Sequence, residues 1–254
     1  AEDAGGHGRI QAVALDDAEG LRELLEPCAV VVACAGPFER HGEPVLAAAV
    51  DTGTHYLDTT GEQPFMRRVF DEFGPRAEAS GAALVSAMGF DYVPGDMIAA
   101  LTTEGMGELD ELTLAYAVTG FGPSRGTTHS ALGMIGGGDI EWRGGVEVDA
   151  DRSVSRGSFD FPEPIGRQRM VRYPAGEHVT VPRHVRVRNV RTMITASTAM
   201  PPLMGIAAPL VMPGVQLALR TPLRRLLDAA IGRLPDGPKP ESRRAVRFTI
   251  VCEA

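Results

Sequence analysis

Three apolar segments in the first hundred residues end in glycine, proline or aspartate. Gly36 and Pro37 stop the segment that runs from 29 to 35. Asp58 ends the second segment, and Asp91 follows the third. If the segments are parallel strands, these residues share the carboxyl edge of one sheet, where ligands bind. A carboxylate there could orient a substrate or transfer a proton, although capping or loop hydrogen bonding explains each aspartate at least as well.

Two further residues have chemistry that suits a ligand site. The phenol of Tyr92 could supply a proton in a hydride-transfer step, although a tyrosine beside a turn is more often a packing residue. Asp16 ends a predicted strand over 10–15 and could accept a hydrogen bond from an adenine amino group. Helix capping is nevertheless the favoured interpretation of Asp16 and Asp17.

The spacing of apolar residues predicts strands that alternate with helices up to about residue 104. The predicted strands are 10–15, 29–35, 55–58 and 82–87, and helical patterns follow each of them. This alternation is typical of a parallel, doubly wound sheet. We therefore expect residues 1–105 to form an α/β domain with an incomplete Rossmann-type parallel sheet.

The pattern changes after the glycines at 105 and 107. A strand is predicted over 109–119 and a helix over 127–135, and β-type alternation is clearest at 179–187. No helical pattern separates the later strands, so they are expected to be antiparallel. Residues 106–254 are therefore predicted to form an α+β domain with a mainly antiparallel sheet.

Composition excludes several classes of protein. The 254 residues are 44% hydrophobic and carry a formal net charge of −8, which argues against nucleic acid as a partner. Three cysteines without a C-x-x-C pair indicate a reducing, cytoplasmic setting. The six histidines show no metal-ligand spacing, so no metal is expected.

A long apolar segment covers residues 192–219. It carries no charge and would be long enough to span a bilayer, but four prolines inside it argue against a spanning helix. Buried loops or an exposed apolar lid are favoured, and contact with a membrane surface is the alternative.

The glycine fingerprint G-x-G-x-x-G of dinucleotide-binding domains is absent from this sequence. If this is a Rossmann-type domain, its first strand, turn and helix are missing from the chain. That turn and helix hold the pyrophosphate of a dinucleotide, so this chain alone is expected to bind one weakly.

Four sequence blocks occur in an order and spacing that resemble one known family. The blocks are Gly36-Pro37-Phe38, His41-Gly42-Glu43-Pro44-Val45, the stretch Gly53-Thr54-His55-Tyr56-Leu57-Asp58-Thr59-Thr60-Gly61-Glu62, and Gly89-Phe90-Asp91-Tyr92-Val93-Pro94-Gly95-Asp96. They resemble the saccharopine dehydrogenase-like family, and particularly its bacterial branch of NADP-binding domain proteins and trans-acting enoyl reductases. The resemblance implies an oxidoreductase that uses NADP, or NAD, to transfer hydride to a C=C or C=N bond. It also implies a lipid-like or amino-acid-derived small-molecule substrate, a homodimer, and a chain that is cut at both ends.

The resemblance and the strand-end positions together nominate site residues. The predicted cofactor-binding residues are Asp16, Ala35, Gly36, Pro37, Phe38, Asp58, Gly89 and Phe90. Asp91 and Tyr92 are the catalytic candidates. Thr127 and Ser130 match the family's Gly-Thr-x-x-Ser helix start and are the candidates for substrate binding.

Two alternatives remain open from sequence. Gly122-Pro123-Ser124-Arg125-Gly126 matches the nucleophile elbow of serine hydrolases, with Ser124 as the nucleophile, although such a match often arises by chance. The other alternative is a non-catalytic, nucleotide-binding or membrane-associated scaffold.

Overall fold

The first half of the molecule is a three-stranded parallel sheet with helices between its strands. The computed structural model describes residues 9–89, 92–120, 138–150, 156–199, 229–233 and 240–254, together with the single positions 122, 125, 128, 214, 221 and 237. The elements of the first half are α1 (Ala18–Leu25), β1 (Val30–Ala33), α2 (Phe38–Thr52), β2 (His55–Asp58), α3 (Gln63–Arg68), a π-helical turn (Val69–Phe73), α4 (Gly74–Ser80), β3 (Leu84–Val85) and α5 (Tyr92–Thr102). The sheet order is β1-β2-β3 with parallel pairing throughout, which confirms the predicted α/β class.

The side chains of β1 alternate between the two faces of this sheet. Val31 and Ala33 pack into the core formed with the helices, which also contains the fully buried Leu46 and Tyr56. Val30 and Val32 point the other way and are 47% and 58% exposed. The helices described here therefore cover one face of the sheet.

The prediction of a strand over residues 10–15 is wrong. Residues 9–14 form no strand, and Ile10 is 88% exposed. A run of β-type residues needs a neighbouring strand to pair with, and none of the described strands pairs with this one. The helix predicted after it is present, and the Asp17 carboxylate caps α1 by accepting a hydrogen bond from the Gly20 N–H at 2.9 Å.

The second half is dominated by a five-stranded sheet in the order β10-β4-β9-β8-β7. Its elements are β4 (Leu109–Thr119), β5 (Ile140–Arg143), β6 (Val146–Asp149), β7 (Arg156–Asp160), β8 (Arg167–Arg172), α6 (Glu177–Thr180), a 3-10 turn (Val181–Arg183), β9 (Val187–Thr195), α7 (Ala196–Ala199), α8 (Pro240–Ala245) and β10 (Arg247–Glu253). Only β4 and β9 pair in parallel within it, and β5 and β6 form a separate hairpin. The sheet is mainly antiparallel, as predicted.

The β-type alternation at 179–187 predicted a strand that the structure does not contain over most of this stretch. Most of this stretch is helical, because the Gly176 carbonyl accepts hydrogen bonds from the N–H groups of Val179 (2.8 Å) and Thr180 (3.1 Å). The buried side chains of Val179 and Val181 lie two residues apart, which is also the strand period. The two patterns cannot be distinguished over so short a run.

The two halves are joined by polar contacts of α3. Gln63 is fully buried, its Nε2 donates to the Ala175 carbonyl at 2.6 Å, and its Oε1 accepts from the Ile140 N–H at 2.7 Å. One turn later, Arg67 pairs with Glu147 at 2.9 Å. These contacts position the second half beside the parallel sheet.

The apolar segment predicted at 192–219 lies mostly outside the described residues. Its first eight residues complete β9 and form α7. Within the described part of the chain, no helix is long and apolar enough to cross a membrane.

Candidate functional site

The loops that follow β1, β2 and β3 lie side by side at the carboxyl edge of the parallel sheet. The N–H of Thr59, just after β2, donates to the Ala33 carbonyl at the end of β1 over 3.3 Å. The N–H of Met88, after β3, donates to the Asp58 carbonyl over 2.7 Å. Ligands of parallel α/β sheets bind outside this edge, so the three loops form the candidate site.

The first loop presents its backbone to solvent. Ala35 and Gly36 are exposed, and Pro37 is half-buried directly before α2. The bond between Gly36 and Pro37 is cis. These three predicted cofactor-binding residues therefore lie where a ligand at the sheet edge would meet them.

Phe38 does not share this exposed position, and its side chain turns away from the sheet edge into the core. The side chain is 4% exposed, and its ring centroid lies 5.7 Å from that of Phe65. Gly42 provides the space for this pair, because a Cβ at residue 42 would come within 2.6 Å of the Phe65 ring. Phe38 is a core residue that anchors the start of α2.

Glu62 occupies the N-terminus of α2. Its carboxylate is buried and accepts hydrogen bonds from the N–H groups of Phe38 (3.1 Å) and Glu39 (2.9 Å). A helix N-terminus carries partial positive charge and unpaired N–H groups, so it would otherwise attract an anion. Because Glu62 supplies that anion, the end of α2 is not a phosphate site. Sequence reasoning gave Glu62 no role, although it ends one of the family blocks.

Asp58 also turns inward, so its predicted place facing the crevice is wrong. The side chain is fully buried and accepts hydrogen bonds from the N–H groups of Thr60 and Ala87, both at 2.9 Å, and from the Ser86 hydroxyl. Burial raises the pKa of Asp58, and these hydrogen bonds partly offset the effect. Ala87 has a φ of +62°, which a residue with a Cβ rarely adopts. Asp58 therefore holds the β3 loop in place from behind.

The third loop leads into α5. Gly89 is half-buried, and its carbonyl accepts a hydrogen bond from the Val93 N–H at 3.3 Å. Tyr92, in this first turn, is 3% exposed. Its hydroxyl lies 3.3 Å from the Gly61 carbonyl and 3.0 Å from the Tyr173 hydroxyl. Tyr92 is therefore not itself open to the crevice, and its hydroxyl contacts Gly61 and Tyr173 instead.

A buried carboxylate and phenol lie behind this tyrosine pair. The Tyr116 hydroxyl donates to Glu177 Oε1, and both side chains are almost completely buried. Gly95 of α5 makes room for them, since a Cβ at residue 95 would overlap both polar atoms. The interaction therefore fixes α5 against the second half of the molecule.

The remaining sequence candidates fall in two groups. Asp16 is an exposed turn residue before α1, so its predicted position at a strand end is wrong. Phe90, Asp91, Thr127 and Ser130 lie outside the described residues, as does the alternative nucleophile Ser124. No group of histidine, cysteine and acidic side chains suited to a metal ion occurs among the residues that the structure describes.

The sheet and its loops place the chain among open α/β folds. Domains of this class bind their ligands, nucleotides among them, in the crevice beyond the carboxyl ends of the strands. No family model matches the chain. The chain does have relatives among curated proteins, and these confirm the predicted resemblance to saccharopine dehydrogenase-like oxidoreductases and trans-acting enoyl reductases.

Three relatives illustrate the extent of the similarity. A mitochondrial saccharopine dehydrogenase-like oxidoreductase of Arabidopsis thaliana is 42% identical over 81 residues, which is 32% of this chain and 18% of the relative. A trans-acting enoyl reductase of Mycobacterium tuberculosis is 37% identical over 120 residues, or 45% of this chain and 29% of the relative. A lipid droplet localized protein of Caenorhabditis elegans is 26% identical over 153 residues, or 58% of this chain and 36% of the relative. The chain thus spans well under half the length of these relatives.

Proposed function

We propose that the protein is an NAD(P)-dependent oxidoreductase that transfers hydride to a C=C or C=N bond. The observation that carries the proposal is the exposed Ala35–Gly36 backbone, which lies beside the β2 and β3 loops at the carboxyl edge of a parallel sheet. The names of the relatives, oxidoreductase and enoyl reductase, support the same class of reaction.

The residues at this edge fit one end of a dinucleotide better than the other. The Glu62 carboxylate at the start of α2 would repel a phosphate there. The neighbouring loop offers exposed backbone without a side chain at Gly36, which suits the close approach of a nicotinamide ring and its ribose. The G-x-G-x-x-G turn that holds a pyrophosphate is not in this sequence, so the chain alone should bind a dinucleotide weakly.

The residues of the chain then have distinct roles. Ala35, Gly36 and Gly89 would hold the nicotinamide end, which when bound supplies the hydride. Asp58 holds the β3 loop, and Glu62 holds the turn between β1 and α2. Both carboxylates act by positioning backbone and do not reach the crevice themselves.

The substrate that we favour is lipid-like, with an amino-acid-derived substrate as the alternative. The names of the enoyl reductase and lipid droplet relatives support a lipid, and so does the uncharged segment at 192–219. We further propose NADP as the cofactor, a homodimer as the assembly, and the cytoplasm, with peripheral membrane contact, as the location.

The test follows NADPH fluorescence: its loss when medium-chain trans-2-enoyl thioesters are added with NADPH and, separately, its gain when saccharopine, whose C–N bond is already reduced, is added with NADP⁺. We expect oxidation with a thioester, and we expect Gly36→Val to abolish it by filling the crevice. Gly107→Val is the matched control, since residue 107 is exposed and has no atom near a new Cβ. Dinucleotide binding without turnover of any of these substrates would instead support a nucleotide-binding scaffold.

A further inference from the structure

Strand β10 forms one end of the five-stranded sheet. The sheet order is β10-β4-β9-β8-β7, so β4 pairs with one edge of β10, and no described strand pairs with the other. β10 is seven residues long, and the side chains from 248 to 252 are only half-buried. A long edge strand of this kind can pair with a further strand through its backbone N–H and C=O groups.

An apolar stripe on α5 lies beside this edge. α5 packs on the sheet over β10 and β4, and Ile98 belongs to the same apolar cluster as Ile250 and Cys252 of β10. Met97 and Leu101 are one turn apart on this helix, and their side chains are 58% and 68% exposed. Two large apolar side chains together in water, next to an unpaired strand edge, indicate a surface on which another protein element packs.

Helix geometry directs the stripe toward the open side of β10. The other flank of α5 is fixed by Asp96, which accepts a hydrogen bond from the Thr180 hydroxyl at 2.6 Å and lies 2.9 Å from His184 Nε2. Both partners belong to the helical segment that contacts β9, and β9 lies on the side of β4 away from β10. Met97 and Leu101 are about 100° and about 140° round the helix from Asp96. They therefore face the side on which β10 has no described neighbour.

We propose that the open edge of β10 pairs with β10 of a second copy of this chain. The inference rests on the homodimer proposed above and gives that dimer a surface. The pairing is antiparallel and centred on Ile250, so that Arg247 of each copy lies opposite Glu253 of the other.

The charges of β10 favour a second copy as the partner and fix the register. Arg247 and Glu253 are both exposed, and neither has an oppositely charged partner within the described part of the chain. Among the antiparallel registers that the strand can form with its copy, the one centred on Ile250 is the register that sets these opposite charges against each other. β10 is therefore complementary to itself.

The same symmetry brings the two apolar stripes together. A two-fold axis through Ile250, perpendicular to the sheet, leaves both copies of α5 on one face of a continuous sheet. Strands lie about 4.8 Å apart and α5 contacts both β10 and β4, so the two helix axes would be about 10 Å apart. Helices pack side by side at this distance, here with Met97 and Leu101 of each copy between them.

Sedimentation equilibrium of the full chain measures the association, and charge reversal tests its register. Arg247→Glu and Glu253→Arg each replace two attractive pairs by two repulsive ones, so we expect each to raise the dimer Kd about tenfold or more. The double variant Arg247→Glu/Glu253→Arg exchanges the charges and should restore the wild-type Kd. A loss of folding in the single variants cannot produce this rescue.

Leu101→Glu tests the apolar stripe. A carboxylate in the helix contact of each copy would lose its water without gaining a partner, so we expect no dimer at about micromolar concentrations. Val32→Glu is the matched control, because Val32 is 58% exposed and belongs to the parallel sheet instead. It should leave the dimer Kd unchanged.

The outcomes separate this interface from the rest of the proposed function. A dimer that the charge reversals and Leu101→Glu leave intact would keep the homodimer and overturn the interface. A dimer that Val32→Glu alone dissociates would move the contact to the parallel sheet and overturn it as well. A wild-type chain that is monomeric at about 100 μM would overturn both the homodimer and its interface, and would leave the proposed hydride transfer unaffected.

Discussion

The two halves of the molecule bury carboxylates in different surroundings. In the first half, Asp58 and Glu62 accept hydrogen bonds mainly from backbone N–H groups of neighbouring loops. In the second half, Glu141 pairs with Arg143 and Arg172, and Glu177 accepts from the Tyr116 hydroxyl. A carboxylate bonded to backbone fixes the shape of a loop, whereas one bonded to side chains fixes how two elements pack. The loops of the candidate site depend on the first arrangement, and the packing of α5 against the second half depends on the second.

The largest loss of stability is expected at Gly95, where the buried Glu177–Tyr116 pair leaves no space for a side chain. Gly95→Ala would place a Cβ on both polar atoms of the Glu177–Tyr116 pair. Neither buried side chain can move into solvent, so we expect a loss of about 3 kcal/mol or more in the free energy of unfolding. Urea denaturation measures this, with Gly107→Ala as the control. Equal stability of the two variants would show that the buried pair adapts freely.

Lowering the pH should change the stability contributed by His178 in the second half and by Asp58 in the first half in opposite directions. Burial, with Arg172 and Arg143 nearby, lowers the pKa of His178 to about 4 from its ordinary value of 6.5. The unfolded state therefore binds the proton first, and stability present above pH 6.5 is lost as the pH falls toward 4, by up to about 3 kcal/mol. Asp58 has a raised pKa, so its contribution is present at low pH and is lost as the pH rises through its folded pKa.

Hydrogen exchange measured from neutral pH down to about pH 4 resolves these two contributions. We expect β5 and β9, which flank His178, to lose protection before β2 does. The fluorescence of Trp142, whose backbone N–H donates to His178 Nδ1 at 3.1 Å, should report the same loss. His178→Gln should flatten the profile, and the exposed His41→Gln should not. If both halves lost protection from exchange at the same pH, the acid-dependent loss of stability would not come from His178.

Glu62→Gln tests the backbone-bonded arrangement. The amide can accept from only one of the N–H groups of Phe38 and Glu39 and presents its own N–H to the other. We expect a loss of about 2 kcal/mol in the free energy of unfolding and faster exchange at the start of α2. Glu39→Gln, an exposed change in the same turn, is the control. A result within about 0.5 kcal/mol of the control would place the α2 cap elsewhere.

The smallest effect is expected at the border between the halves. Arg67 and Glu147 pair at 2.9 Å, but their side chains are 38% and 32% exposed. Solvent screening weakens such a pair, so a double-mutant cycle with alanine at both positions should give a coupling energy below about 1 kcal/mol. A coupling well above that value would mean that charge pairing, rather than the buried Gln63, holds the halves together.

Much of the fold could be predicted because its signals are local. The continuous apolar run at 29–35 indicated a strand in a parallel sheet, and the strand at 55–58 was located to the residue. The run at 10–15 failed because strand formation depends on a partner strand that sequence does not reveal. The stretch at 179–187 failed because two valines two residues apart fit a helical turn as well as a strand.

The site could be predicted less well, for a physical reason. Sequence indicated that Gly36, Asp58 and Gly89 share one edge, and the loops after β1, β2 and β3 do lie together. Sequence could not show whether a side chain at that edge faces the ligand or the protein. Asp58 faces inward because three backbone and side-chain donors converge on it. The contact of Tyr92 with Tyr173 was missed because Tyr173 belongs to the other half of the molecule.

The central claim is that the carboxyl edge of the parallel sheet binds the nicotinamide end of a dinucleotide. The most direct measurement is an NMR titration of the nitrogen-15-labelled chain with NADPH up to millimolar concentration. We expect weak, saturable shifts at the amides of Ala35, Gly36 and Gly89, with no shift at Asp16. Shifts confined to residues away from the three loops, or none at these amides at about millimolar NADPH, would contradict the claim.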